Sequence, residues 1–267
     1  MTKKLIIWYF TGTGQCRIIS EYIGTMLKSE DLQVKLVNIT PLEARNRLQD
    51  NIDCDQLILV FPVYASDMPE PLRKFMERLK GGGVPILLIA LWGNAHKGNA
   101  IYHAWKITSG NGFIVNGAAE IVAEHSYLEP VLPIIGNRPT DAEKQELVEF
   151  VRKQFKKNTS IKLTDNKDKL FIKLLCSLPQ GFVPKLVANL DFQESKCNGC
   201  GICRKMCPTG SINQDFKVDK KTCIMCLSCV TNCSGKARTC NIKEIAKTAL
   251  GHHKKVKNKD IFYGKGY

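Results

Sequence analysis

The chain has 267 residues, of which 44% are hydrophobic and 24% charged, a length that suits two globular domains. No run approaches the ~20 apolar residues that a membrane-spanning helix needs. The net charge of +14 is uneven, because residues 1–150 carry 15 basic and 17 acidic residues, whereas residues 151–267 carry 24 and 8. The first half is therefore close to neutral, and the second half is strongly basic.

The first 157 residues alternate between apolar segments typical of β-strands and segments with helical periodicity. We predict strands at Leu5–Phe10, Val34–Ile39, Gln56–Val63, Pro85–Trp92 and Phe113–Ile121. We predict helices at Gly14–Lys28, Pro41–Leu48, Glu70–Lys80 and Gly98–Ile107, and a last one from Thr140 to about Lys157. Because nearly continuous apolar strands are covered on both faces, this pattern predicts a doubly wound α/β domain with a five-stranded parallel sheet.

The rest of the chain divides into three further segments. Residues 158–190 read as a linker whose broken helices, interrupted by Pro179 and Pro184, dock between domains; a basic amphipathic helix on a membrane surface is the alternative. Residues 191–247 hold most of the cysteines, and residues 248–267 form a basic tail. The tail contains His252 and His253, to which the pattern assigns no role beyond a solvated surface.

Eight of the twelve cysteines form two runs with one spacing, C-x2-C-x2-C-x3-C, which is the spacing of two-cluster ferredoxins. In that arrangement three cysteines of one run and the fourth cysteine of the other bind each [4Fe–4S] cluster. The first cluster is assigned to Cys197, Cys200, Cys203 and Cys233. The second cluster is assigned to Cys223, Cys226, Cys229 and Cys207. The two runs are an internal repeat with an offset of 26 residues, and they predict a small α+β ferredoxin-like domain.

Zinc is the main alternative metal for C-x2-C pairs. Zinc sites, however, combine two such pairs per ion rather than two crossed runs of four cysteines. Many cysteines without a secretion signal indicate a reducing compartment, so we expect a cytoplasmic protein. The apolar residues Leu5–Phe10 are too few for a signal peptide and run directly into a glycine loop. The remaining cysteines, expected to be small buried hydrophobes, are Cys16, Cys54, Cys176 and Cys240.

The first predicted strand leads directly into the loop Thr11, Gly12, Thr13, Gly14, Gln15, Cys16 and then into a helix. Backbone N–H groups and the positive end of a helix bind anions at such a turn. A dinucleotide fingerprint would need glycine in place of Arg17, and a Walker loop would need Gly-Lys-Ser/Thr. Hydroxyls and glycines instead suit a monophosphate, and a tight turn without a ligand is the alternative.

This loop resembles the phosphate loop of flavodoxins, which binds the phosphate of FMN, although flavodoxins commonly have Asn and Thr where this chain has Gln15 and Cys16. The resemblance implies the strand order 2-1-3-4-5, with FMN at the carboxyl ends of strands one and three. It also implies flavin-binding loops after strands three and four, at Pro62, Val63, Tyr64, Ala65, Trp92, Gly93 and Asn94. Tyr64 and Trp92 would then pack against the isoalloxazine ring; ordinary half-buried aromatics are the alternative.

The whole chain resembles the flavodoxin–ferredoxin fusions of anaerobic bacteria and archaea. This resemblance implies electron transfer between two [4Fe–4S] clusters and FMN. Three functions stay open: a flavin-dependent oxidoreductase, an electron carrier without its own substrate, and an iron–sulfur redox sensor. Candidate acid–base residues near the expected flavin edge are His96, His125 and Tyr127.

The basic second half predicts an acidic partner. Two clusters with about two negative charges each leave that half near +12. An acidic redox protein of the ferredoxin or flavodoxin type would complement this surplus. Nucleic acid is disfavoured, because the sequence lacks the interleaved aromatic and basic residues of single-strand binders.

Overall fold

The computed structural model describes residues 2–29, 31–48, 52–94, 96–126, 138–155, 157–165, 178, 180–243 and 260–264. Several expectations concern residues outside these ranges: those for Tyr127, Cys176, Pro179, His252 and His253. Most of the predicted basic tail also lies outside them.

A parallel sheet with helices on both faces forms the amino-terminal part, as the alternating pattern predicts. Its strands are β1 (Lys3–Tyr9), β2 (Leu32–Asn38), β3 (Gln56–Pro62), β4 (Pro85–Trp92) and β5 (Ile114–Val122). Its helices are α1 (Gln15–Leu27), α2 (Leu42–Arg47), α3 (Glu70–Arg78), α4 (Ala100–Gly110) and α5 (Asp141–Gln154). These five strands pair in parallel in the order 2-1-3-4-5, which confirms the predicted fold class. The capping box of Thr140 and Glu143 at the start of α5 is also confirmed.

Alternate residues of the central strands enter two separate hydrophobic cores. In β3, Leu57 and Leu59 belong to the core shared with α3 and α4, whereas Ile58 and Val60 belong to the core shared with α1 and α5. Both sets of side chains are completely buried. The continuous apolar run of β3 therefore reflects a strand that is covered on both faces.

A short strand from the carboxy-terminal tail, β8 (Ile261–Tyr263), extends this sheet beyond the predicted five strands. It pairs antiparallel with β5, so that Tyr263 lies opposite Ala118. The carboxylate of Asp260 accepts a hydrogen bond from the Val122 N–H at 2.8 Å. This strand is not among the five predicted ones, because three apolar residues are too few to show a strand by their pattern.

The cysteine runs lie between β6 (Ala188–Phe192) and β7 (Arg238–Ile242), which pair antiparallel in a two-stranded sheet. Two helices of four residues each follow the same 26-residue offset as the cysteines: Ile202–Lys205 and Ser228–Thr231. A further short helix, Phe182–Val187, precedes β6. In the part of the chain that the structure describes, every helix is too short or too polar to cross a bilayer.

The cysteine-rich part, here called the cluster module (residues 188–243), packs directly on the amino-terminal domain. The position where Gly12 would carry a Cβ is filled by the backbone carbonyl of Cys226 and by the Tyr64 hydroxyl. Arg45 donates a hydrogen bond to the Pro208 carbonyl. Before the module, Gln180 donates from Nε2 to the carbonyls of Tyr64 and Met68, both at 2.9 Å. The contact therefore combines a close backbone approach at Gly12 with side-chain hydrogen bonds to backbone carbonyls.

We predict that Tyr263→Phe destabilises the amino-terminal domain by about 1–3 kcal/mol. The Tyr263 hydroxyl donates to Glu120 Oε2 at 2.7 Å, and Glu120 is buried, so its carboxylate would lose a donor. Denaturant titration followed by tryptophan fluorescence measures the effect, because Trp8, Trp92 and Trp105 all lie in this domain. Tyr22→Phe, a partly exposed ring on α1, is the control. Equal stability of the two variants would contradict a structural role for β8.

We also predict that Gly12→Ala loosens the contact between the domain and the cluster module. The added Cβ would meet the Tyr64 hydroxyl at 2.5 Å and would meet the Cys226 carbonyl. Hydrogen exchange of backbone amides in residues 222–228 should become faster. Gly110→Ala is the matched control, because no atom lies within 4 Å of the Cβ it would introduce. Unchanged exchange in Gly12→Ala would show that the two parts are not held by this contact.

Candidate functional site

Hydrogen bonds order the glycine loop between β1 and α1. Gly14, the N-cap residue of α1, has φ 104°, and this left-handed backbone conformation favours glycine. Its N–H donates to Thr11 Oγ1 at 2.9 Å, and the Thr11 N–H donates to Thr40 Oγ1 at 2.8 Å. Among the described residues α1 has neither a side-chain N-cap nor an acidic residue in its first turn. An anion could therefore accept hydrogen bonds from the N–H groups there.

A cavity of about 330 Å³ lies at the carboxyl edge of the sheet, next to this loop. Most of the residues predicted to bind a cofactor line it: Thr11, Gly12, Thr13, Gln15, Cys16, Pro62, Val63, Tyr64, Ala65 and Gly93. The cluster module and the helix before it close the opposite side with Pro184, Val187, Ala188, Ile224 and Ile242. We call this space the sheet-edge cavity. Its size falls within the range of small-molecule sites.

Three of the predicted cofactor residues do not line the sheet-edge cavity: Gly14, Trp92 and Asn94. Trp92 instead packs with Val63 and Val122. Its buried Nε1 has no hydrogen-bond acceptor among the described residues. Neighbouring residues of a strand face opposite sides of the sheet. The position where a strand ends therefore predicts which loop lies at the site, but not which side chains of that loop enter it.

The end of β5 brings to the cavity polar groups that the sequence pattern did not indicate. Glu124 and Ser126 line it, and so does Ser66 from the loop after β3. Gln15 Nε2 donates to Glu124 Oε2 at 2.5 Å, and Thr13 Oγ1 lies 3.2 Å from Ser126 Oγ. The rule that parallel strands end at one edge could have indicated these residues. Of the candidate acid–base residues, His96 and His125 also line the cavity.

Left-handed backbone positions repeat with the two cysteine runs. They occur at Gly199 and Gly201 within the first run and at Gly210 just after it, with φ angles of 71°, 70° and 66°. At the same offset of 26 residues, Met225, Leu227 and Lys236 have φ angles of 57°, 62° and 50°. Non-glycine residues rarely adopt this conformation. The internal repeat therefore extends from the sequence to the backbone, where alternating conformations of this kind form concave, anion-binding groups of N–H donors.

Cys207, the last cysteine of the first run, lies with the second run. A small cavity, here called the cysteine cavity, is lined by Cys207, Cys223, Cys226 and Cys229. These are the four cysteines that the crossed spacing assigns to the second cluster. Across the described ranges, no three His, Cys, Asp or Glu side chains are grouped so as to hold a single metal ion.

Burial disfavours the thiolate form of two cysteines of the cysteine cavity. It raises the pKa of Cys229 to about 12 and also raises the pKa of Cys226. Nearby cysteines also raise the pKa of Cys226, Cys207 first among them. Iron binds thiolates, so loading this cavity releases protons. The donor set fits a four-thiolate group whose negative charge is offset by nearby cations.

Two buried guanidinium groups supply positive charge beside the cysteine cavity. Arg238, from β7, is buried and lowers the pKa of Cys229. Arg45, from α2 of the other domain, is 3% exposed. Burial and the neighbouring Arg78 lower the pKa of Arg45 to about 10, so that it stays charged at neutral pH. The site thus includes one cation from each side of the contact.

The other cysteines differ in their surroundings. Cys200 is exposed, and Cys197 and Cys233 are partly exposed, whereas Cys203 is buried. Of the cysteines outside the runs, Cys16 is buried as expected, and it lines the sheet-edge cavity. Cys54 and Cys240 are only partly buried.

Comparison with known proteins identifies one family within the chain. Residues 190–213, which contain the first cysteine run, match the 4Fe–4S binding domain family. None of the proteins with curated functions matches the chain in sequence.

Several solved structures are similar to the sheet domain. A flavodoxin from the domain Archaea has 15% identity over 55% of this chain and 92% of its own, with a TM-score of 0.41. The flavodoxin of Fusobacterium nucleatum bound to flavin mononucleotide has 20% identity over 58% of this chain and 100% of its own, with a TM-score of 0.41. Rubredoxin oxygen:oxidoreductase of Desulfovibrio gigas has 12% identity over 66% of this chain and 38% of its own, with a TM-score of 0.42. The sheet order and the family match together show that the chain joins a domain of flavodoxin-like fold to a ferredoxin-type iron–sulfur segment.

Proposed function

We propose that this chain transfers electrons between two [4Fe–4S] clusters and FMN within one molecule. The position of Ile224 carries the proposal. Ile224 lines the sheet-edge cavity and also the cysteine cavity. A flavin in the first cavity and a cluster in the second would both contact this residue. Such proximity suits direct electron transfer between them.

The residues of the sheet-edge cavity support FMN as the flavin. Thr11, Thr13 and the open amino terminus of α1 would hold a monophosphate, whose negative charge a helix amino terminus favours. Tyr64 would provide an aromatic wall for the ring. The Gln15 side chain already donates a hydrogen bond to Glu124, so the loop backbone and the threonines are the better candidates for phosphate binding.

The repeat supports two clusters rather than one. Only the first run lies in the segment that matches the 4Fe–4S family. The second run has the same spacing and the same left-handed positions, and its cavity includes the crossed Cys207. When bound, each cluster carries one electron at a time and FMN carries one or two, so their combination joins one-electron carriers to two-electron chemistry. The first set, in which Cys200 is exposed, would face external carriers, and the second set, which lines the cysteine cavity, would face the flavin.

A reaction on a small molecule, rather than electron transfer alone, is a second candidate function. His96 and His125 both line the sheet-edge cavity, and His96 Nδ1 lies 2.9 Å from Ser66 Oγ. A histidine there could exchange a proton with a substrate next to the flavin. Turnover of a substrate that stops in both histidine-to-alanine variants, with FMN retained, would favour this function over a pure carrier.

The first test is the cofactor content. Anaerobically reconstituted protein should contain about eight iron and eight sulfide per chain, together with FMN. Cys207→Ala should lose the second cluster and keep the first, because Cys207 belongs to the cysteine cavity. Cys240→Ala, outside both runs, is the control. Stoichiometric zinc with little iron, or FAD in place of FMN, would contradict the proposal.

The second test concerns electron transfer between the cofactors. Chemical reduction of the clusters in fully loaded protein should be followed by reduction of FMN, observed by its absorbance. The Cys207→Ala protein should reduce FMN much more slowly, since the second cluster would be missing. An equal rate in both proteins would show that electrons reach the flavin by another route.

We further propose that an acidic redox protein of the ferredoxin or flavodoxin type docks beside the first cysteine set. Lys196, Arg204 and Lys205 flank these cysteines in the sequence and are exposed. Four lysines of the tail add to the positive charge: Lys254, Lys255, Lys257 and Lys259. Exposed charges of this kind raise the rate of association more than the affinity.

Electron transfer with an acidic ferredoxin should slow steeply as salt rises to physiological strength, because screening acts over about 8–10 Å. Replacing Arg204 and Lys205 by Gln should reproduce part of this loss at low salt. Replacing Lys35 and Lys80, exposed on the sheet domain, removes the same charge and is the control. A rate that does not depend on ionic strength would contradict the docking proposal and leave the cofactor assignments intact.

A further inference from the structure

Arg45 is a buried cation whose partners do not neutralise it. It lies on α2 and is 3% exposed. It donates from Nη1 to the carbonyls of Ile39 and Thr40, at 2.8 and 2.5 Å, and from Nη2 to the Pro208 carbonyl. Among the described residues these acceptors are neutral backbone groups, and no carboxylate pairs with Arg45. An unpaired buried charge is costly unless an opposite charge lies nearby.

The cysteine cavity is the nearby place for that opposite charge. Pro208, which accepts from Arg45, directly follows Cys207 in the chain and lines the same cavity as the four cysteines. Four thiolates outweigh the iron–sulfur core, so a bound cluster is an anion. A cluster in this cavity therefore provides the charge that the surroundings of Arg45 lack.

We propose that Arg45 is a positioning residue that raises the reduction potential of the second cluster, an inference that rests on the proposed function. The ligands of that cluster are Cys207, Cys223, Cys226 and Cys229. Reduction adds one negative charge to that cluster. A fixed positive charge nearby stabilises the reduced form more than the oxidised form, and low dielectric strengthens the effect. Arg45 belongs to the flavodoxin-like domain, so the cluster gains this stabilisation only while the module is docked. The second cluster would therefore be easier to reduce when the module is docked on the sheet domain.

Arg47 offers a matched control on the same helix. Its side chain is 82% exposed and pairs with Glu43 at 3.2 Å. Replacing it removes the same formal charge from α2. Water and salt screen an exposed charge, so its removal should hardly change either cluster.

The test is a redox titration of the full, anaerobically loaded chain, followed by electron paramagnetic resonance. Arg45→Gln, which keeps an amide donor for the backbone carbonyls, should make one-electron reduction of the second cluster about tenfold less favourable. This corresponds to a midpoint potential about 59 mV more negative for a one-electron couple. Arg45→Lys keeps the charge and should stay close to wild type, and Arg47→Gln should match wild type. The Cys226→Ala protein, which lacks a ligand of the second cluster, identifies the midpoint of the first.

Two results would overturn the inference: an unchanged second midpoint in Arg45→Gln, or an equal shift in Arg45→Lys and Arg45→Gln. The second result would assign the effect to hydrogen bonding rather than to charge. Failure of the proposed function is recognised separately, because wild-type protein would then contain only one cluster before any variant is compared.

Discussion

The packing of the Cys223–Cys226 loop against the glycine loop at Gly12 is the contact on which the arrangement of this protein depends. A glycine is required there, since the Cys226 carbonyl takes the place of a side chain. This backbone-to-backbone approach brings Ile224 into both the sheet-edge cavity and the cysteine cavity. Because close-packed interiors deform little, the separation of the two cavities is set by the fold rather than by a flexible linker.

The chain reaches the cluster module from the sheet domain and returns to that domain afterwards. Gln180 is bound to the loop after β3 just before the module, and β8 pairs with β5 after it. Attachment at both ends restricts the positions that the module can adopt, which lowers the entropy lost when it docks. The short strand β8 thus supports the contact at Gly12 from a distant part of the sheet.

The second cysteine run accepts backbone strain that the first run avoids with glycine. Met225, Leu227 and Lys236 are left-handed where the first run has Gly199, Gly201 and Gly210. A non-glycine residue in this conformation costs roughly 1–2 kcal/mol. Such strain persists when surrounding contacts fix it, and here the loop is fixed between the sheet domain and the cysteine cavity. The side chains of Met225 and Leu227 are buried, so hydrophobic packing offsets part of the cost.

Features that are local in the chain could be predicted from the residues alone: the order of strands and helices, the loop from Thr11 to Cys16, and the two cysteine runs. Periodicity and spacing encode these directly, because their residues act within a few positions of one another. Three features emerged only from the folded chain: Trp92 does not line the sheet-edge cavity, Ile261–Tyr263 extend the sheet, and Arg45 donates to Pro208. Arg45 and Pro208 are 163 positions apart. Contacts of that kind depend on how two cores come together, and local residue patterns do not record it.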